Sequence, residues 1–131
     1  MHFPGFKALV GRPSSKQSGD AAETAALRHL QRAGLRLCER NYRTPGRGGG
    51  EVDLIMQDAD GTLVFVEVRA RRGGVHGGAA ASIGAIKRRR IVFAARHYLM
   101  AHGSAPPPCR FDVVVLDGDV LQWLQAAFDA S

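Results

Sequence analysis

The stretch from Glu51 to Arg72, EVDLIMQDADGTLVFVEVRARR, decides the fold. Asp60-Gly61 is a turn signal between two β-rich runs, because Asp and Gly both tolerate the positive φ of a tight hairpin turn. A strand is therefore expected on each side. On the second strand Leu63, Phe65, Glu67, Arg69 and Arg71 share one face, and Val64, Val66 and Val68 share the other. Both faces begin apolar, as in a central strand covered on both sides, and Glu67 stands where the apolar run gives way to charge. On the first strand Val52, Leu54 and Met56 oppose Glu51, Asp53 and Ile55, which sets the acid of Asp53 among apolar neighbours.

An acid in such surroundings has two readings. Asp53 and Glu67 either pair with arginines at the end of the sheet or converge from adjacent strands on a divalent metal. Mg²⁺ suits the second reading because it takes oxygen ligands and keeps waters and substrate phosphates as its others. Spacing alone leaves both open, since structural networks also hold paired acids.

The chain around this hairpin is strongly basic. Its 131 residues suit one domain, the net charge is +6, and Arg supplies fifteen of the eighteen basic residues. The guanidinium fork binds phosphate oxygens in pairs, so a polyanion is the natural partner; a surface that serves only solubility is the plain alternative. Cys38 and Cys109 lie far apart and in no metal-binding spacing, and read as reduced, small apolar core residues. No apolar run approaches the length of a membrane span and the start lacks the order of a signal peptide, so a cytoplasmic protein is expected.

Residues 1–18, rich in Gly, Pro, Ser and Lys, read as a flexible tail, and 19–131 as a single domain. The first helix is expected from Gly19-Asp20, capped by Asp20, to Gly34, with Glu23, Ala26, Leu27 and Leu30 on one face. Glu23, three residues after Asp20, also fits a capping box. A strand from Leu35 to Tyr42 turns Leu35, Leu37 and Cys38 inward. The loop RTPGRGGG, residues 43–50, lacks the order of a P-loop and leads into a strand, so it reads as a mobile, substrate-facing loop carrying Arg43 and Arg47. His76, alone in the glycine-rich link from Gly73 to Gly78, reads as solvated.

A long helix follows from about Ala79 to His102, stopped by Gly103 and Pro106 to Pro108. Its apolar face is expected to hold Ile83, Ile86, Phe93, Ala94 and Tyr98, with Lys87 and Arg90 within it. Arg88, Arg89 and Arg96 point elsewhere, and Arg88 and Arg89 read as a solvated face. Arg110 to Leu116 alternates as a strand, Asp117-Gly118 turns into Val120 to Leu124, and Trp123 and Phe128 read as packing residues. The order is helix, three strands, helix, two strands, a mixed α/β sandwich around the hairpin.

Asp53, a hairpin, then Glu67-Val68-Arg69 resembles the D…(D/E)-x-K pattern of restriction-endonuclease-like nucleases. The wider string GGGEVDLIMQD…LVFVEVRARR…IKRRRIVFAARHYL…RFDVVVLDG resembles the YraN family of uncharacterised bacterial proteins, themselves similar in fold to archaeal Holliday-junction resolvases, over roughly Gly19 to Phe128. The resemblance implies a PD-(D/E)xK fold with a central mixed five-stranded sheet. It implies Mg²⁺ or Mn²⁺ held by Asp53 and Glu67, with a first-helix glutamate, here Glu23, reaching the same site. The carbonyl of Val68 would be a further ligand, and Arg71, Arg72, Arg90, Arg43 and Arg47 would contact nucleic acid.

The chain departs from the pattern at Arg69, where the family has lysine. Lys can lose its proton and act as a base, whereas Arg stays charged. Lys87, on the helix face directed at the sheet, is the expected substitute. The catalytic set is then Glu23, Asp53, Glu67, Arg69 and Lys87. Three functions compete: a metal-dependent endonuclease acting on DNA, branched or distorted; a nucleic-acid-binding module that lost efficient catalysis; and a basic scaffold with a structural acid cluster. A homodimer would suit a two-fold junction.

Overall fold

The computed structural model describes residues 15–71, 83–103 and 105–131. Helix α1 (Ser15–Arg32) precedes strands β1 (Arg36–Arg43), β2 (Glu51–Gln57) and β3 (Leu63–Arg71); helix α2 (Ala85–His102) then leads to β4 (Cys109–Asp117) and β5 (Val120–Phe128). The strands form one five-stranded sheet in the order β1-β2-β3-β4-β5. All neighbours are antiparallel except β3 and β4, which run parallel because the chain crosses back between them through α2. The β2-β3 turn closes with Asp58 N donating to Thr62 O and Gly61 N to Asp58 O, both at 2.9 Å, and Gly61 takes φ +93°. A side chain at Gly61 would be strained in that conformation.

The alternation of β3 feeds two separate cores. Leu63 and Phe65, with Ile55, Phe111, Val113 and Val115, pack under Ile91, Ala94, Ala95 and Tyr98 of α2. Val64 and Val66, with Leu54, Met56 and Val114, pack under Ala26 and Leu30 of α1. The helices thus cover opposite faces, and β3 is buried from both sides, as its continuous apolar run implies. One strand breaks its own alternation. Val52 packs with Ile55 on the α2 side and not with Leu54, so β2 changes sides around Asp53.

Several expected boundaries move. α1 opens at Ser15, so residues 15–18 are helical and Asp20 lies inside the helix and does not cap it; residues 1–14 lie outside the described residues. The helix ends as expected, with Gly34 at φ +102°. α2 starts at Ala85 behind an extended Gly84, and residues 79–82 and His76 lie outside the described residues. Ile86 and Phe93, expected inside, are 69% and 54% exposed. The buried stripe is Ile91, Ala94, Ala95 and Tyr98, and Lys87 sits one turn before it. α2 carries more apolar residues than one sheet face covers, which is why composition did not single out the stripe. Cys109 is exposed and Cys38 half-buried, both free, so only Cys38 packs against a core.

β5 runs on to Phe128, which stacks on Phe111 at 5.0 Å. Its hold on β4 centres on Asp112, fully buried, which accepts from Trp123 Nε1 and Ala126 N, each at 2.9 Å, and from Arg110 Nε at 3.1 Å. Asp112→Ala leaves three donors unpaired and is expected to cost about 3–5 kcal/mol in urea unfolding. A loss below about 1 kcal/mol would show that β5 is held by its ladder alone. Among the described residues no helix is long and apolar enough to cross a membrane.

Candidate functional site

The site lies where the central hairpin opens. The ladder between β2 and β3 runs from Gln57↔Leu63 to Leu54↔Val66 and no further. Beyond it, Asp53 Oδ2 accepts the backbone N–H of Val68 at 2.8 Å, so a side chain takes over from the ladder. This fixes the Asp53 carboxylate beside Glu67, which stands on the α2 face of β3 and is 7% exposed. The two carboxyl groups share a side-chain hydrogen bond, which requires a proton on one of them. Burial favours Glu67 as its holder. Burial and then the charge of Asp53 push its pKa up to about 8, against the opposing pull of Lys87 and Arg69.

Lys87 arrives from α2. Its Nζ is 3.6 Å from Glu67 Oε2 and 4.0 Å from Glu51 Oε2, longer than a charge-assisted hydrogen bond. The proximity expected of Lys87 is therefore met, though not as a tight pair, which agrees with a Glu67 that keeps its proton near neutrality. Glu51 Oε1 accepts from Arg90 at 2.9 Å, and Arg90 Nε donates to Gly49 O at 3.3 Å. Glu67, Val68, Arg69, Ala70, Gly84 and Lys87 line an open cleft of about 460 Å³.

Glu23 approaches from the other side of the sheet. Its pKa is raised by burial and next by Asp53, while hydrogen bonds from Asn41 and Arg40 oppose the rise. Arg40 holds it: Nε lies 3.5 Å from Glu23 Oε1, and Nη2 donates to Thr24 Oγ1 at 2.9 Å and to the Asp20 carbonyl at 3.2 Å. Glu23 and Glu67 thus flank Asp53 from α1 and β3. Even so, among the described residues no three His, Cys, Asp or Glu side chains converge on one metal position.

The expected nucleic-acid contacts divide. Arg43 and Arg47 are exposed beside the glycine-rich loop. The neck of that loop is tied: Thr44 N donates to Gly50 O at 3.0 Å and Gly50 N to Thr44 Oγ1 at 2.8 Å. A Cβ on Gly50 would lie 2.3 Å from the Arg90 carbonyl, so the end of the loop is seated on α2. Arg71 lies 4.0 Å from Asp117 of the neighbouring strand, and Arg90 is bonded to Glu51. Arg72 lies outside the described residues. Glu51, Arg40 and Asn41 were not singled out by the sequence. Glu51 had a usable signal, standing two residues before Asp53; Arg40 and Asn41 had none, because their partner lies on another element.

A profile of the family described as "Uncharacterised protein family UPF0102" matches residues 22–116. The curated relative called UPF0102 protein from Albidiferax ferrireducens is 68% identical over 130 residues, covering 99% of each chain. One from Paracidovorax citrulli is 69% identical over 119 residues, covering 91% of this chain and 87% of its own. One from Acidovorax sp. is 59% identical over 133 residues, covering both chains fully.

Proposed function

We propose that this chain, which belongs to the UPF0102 family, is a metal-dependent endonuclease of the PD-(D/E)xK kind that hydrolyses phosphodiester bonds in DNA. The observation that carries the reading is the Asp53–Glu67 pair at the mouth of the split hairpin, with one carboxyl driven to about 8 by burial and its neighbour. A buried carboxylate beside a half-buried one is destabilised unless a proton or a cation lies between them. The donors are all oxygen, which fits Mg²⁺ or Mn²⁺. Asp53, Glu67 and the Val68 carbonyl would hold the ion, and waters and the substrate's phosphate would complete its ligands, so a third acid is not required. Bound there, it would neutralise phosphoryl charge and lower the pKa of a water.

The chain's own residues divide the remaining work. Hydrolysis joins a water oxygen to phosphorus and releases the leaving sugar oxygen with a proton. Val68 N–H and the sheet hold Asp53 in place. Arg69, in the cleft wall, meets the phosphate as a permanent cation, and Lys87 supplies the amine that the motif's last position lacks. Glu23, held by Arg40, would help orient the ion or its waters. Glu51 holds Lys87 and Arg90 along one edge.

Arg69 in place of lysine favours a second reading, a DNA-binding module with little turnover. Labelled single-stranded, duplex and four-way-junction DNA, incubated with Mg²⁺ or Mn²⁺ beside EDTA, separates the two. Metal-dependent cutting supports the enzyme. Salt-sensitive binding without cutting supports the module, and Arg69→Lys then tests whether that one residue silences the site. Neither binding nor cutting overturns both.

A further inference from the structure

Away from the cleft, α2 carries a second feature that the acid site does not use. Arg88, Arg89, Phe93 and Arg96 line a groove of about 580 Å³ between the outer face of α2 and residues 130–131. Phe93 is 54% exposed, a large aromatic ring turned to solvent. Arg89 lies one turn before it and Arg96 nearly one turn after, so guanidinium groups flank the ring along the helix. One neighbouring acid is Asp129, whose charge interacts with Arg88. Among the described residues no ion pair engages Arg89 or Arg96. Groove and cleft adjoin along the chain: Gly84 and Lys87 line the cleft, Ala85 and Arg88 line the groove, and Phe93 lies about 9 Å further along the helix than Lys87.

Cations around an exposed ring fit one chemistry. Guanidinium groups take phosphate oxygens and a ring takes an unpaired base, which together describe a single-stranded nucleic acid and not a stacked duplex. An acidic peptide would use the arginines and leave Phe93 in water. We propose that the Arg88–Arg89–Phe93–Arg96 groove binds a single-stranded DNA segment, one base stacked on Phe93, leading into or out of the acid cleft. This rests on the nuclease reading and narrows its substrate to DNA with an unpaired tail, flap or gap beside the cut.

The test uses fluorescein-labelled DNA in EDTA, so that nothing is cut: a blunt duplex and the same duplex with a single-stranded tail. The wild type is expected to prefer the tailed form by about 5-fold or more, within the range that one stacked base contributes. Phe93→Ala should remove that preference while blunt-duplex binding changes little, and Phe93→Trp should keep it. Arg89→Ala with Arg96→Ala should weaken tailed binding and flatten its salt dependence. Because Phe93 is exposed, the fold should survive, which circular dichroism checks.

Equal affinity of the wild type for both DNAs, or an unchanged preference in Phe93→Ala, overturns the proposal. So does displacement of the tailed DNA by polyglutamate as readily as by unlabelled single strand, or a concentration-dependent self-association that Phe93→Ala abolishes. The nuclease reading fails separately. Equal binding with metal-dependent cutting leaves it standing and removes only the groove, whereas no binding of either DNA removes both.

Discussion

Asp53→Asn and Glu67→Gln are each expected to reduce metal-dependent DNA cleavage by at least about 10²–10³-fold, the usual cost of removing one group aimed at the charge of a transition state. Both substitutions preserve shape. Asn at position 53 can still accept the Val68 amide that Asp53 accepts at 2.8 Å, and Gln at 67 can still hydrogen-bond its neighbour, so the fold should survive. The distinction matters because Asp53 has a structural task as well as a chemical one: it occupies the place where the β2-β3 ladder ends. Full cleavage by either variant would mean that the pair only closes the hairpin. Intact binding with lost cleavage would place the chemistry at these two carboxylates and the affinity on the arginines.

Stability should fall with rising pH unless a divalent cation is present. Unfolded, Glu67 ionises near its ordinary 4.5; folded, burial and Asp53 hold it near 8. Between those values the folded chain carries the extra proton, so this group's contribution is fully present below about pH 4.5 and is lost as pH rises through about 8. The slope is at most about 1.4 kcal/mol per pH unit. Glu23, also raised by burial and by Asp53, acts in the same direction, while Lys87 and Arg69 reduce the effect at Glu67. In EDTA the melting temperature should therefore decline from pH 5.5 to 8. Glu67→Gln should flatten the decline, and millimolar Mg²⁺ should restore much of the loss at pH 8, because an ion that binds only the folded state stabilises it. An identical slope in Glu67→Gln would assign the pH dependence to other groups.

Much of this architecture was legible in the residues. The Asp60-Gly61 turn and the alternation from Leu63 to Val68 placed β3 at the centre with a core on each face, and they brought Glu67 and Arg69 to the α2 side. The stripe Glu23, Ala26, Leu27 and Leu30 set the orientation of α1. Other features escaped for physical reasons. Period-two reasoning put Val52 with Leu54, but the strand changes sides near Asp53, where pairing with β3 stops, and a local irregularity has no signature in alternation. The face of α2 was read too broadly because Ile86 and Phe93 are as apolar as the residues that are buried, and only the position of the sheet selects among them. The ties from Arg40 to Glu23 and from Arg90 to Glu51 cross between elements, so spacing within either element could not announce them. Asp112 looked like an ordinary polar position in an alternating strand and proved to be the anchor of β5.

The central claim is that Asp53 and Glu67 together form a divalent-cation site, and calorimetric titration of Mn²⁺ at pH 7 in buffers of different ionisation enthalpy tests it most directly. Because Glu67 holds a proton up to about pH 8, binding is predicted to release nearly one proton per ion, and Glu67→Gln should lose both the release and most of the affinity. Binding without proton release that Glu67→Gln leaves unchanged, or no binding at all, would contradict it.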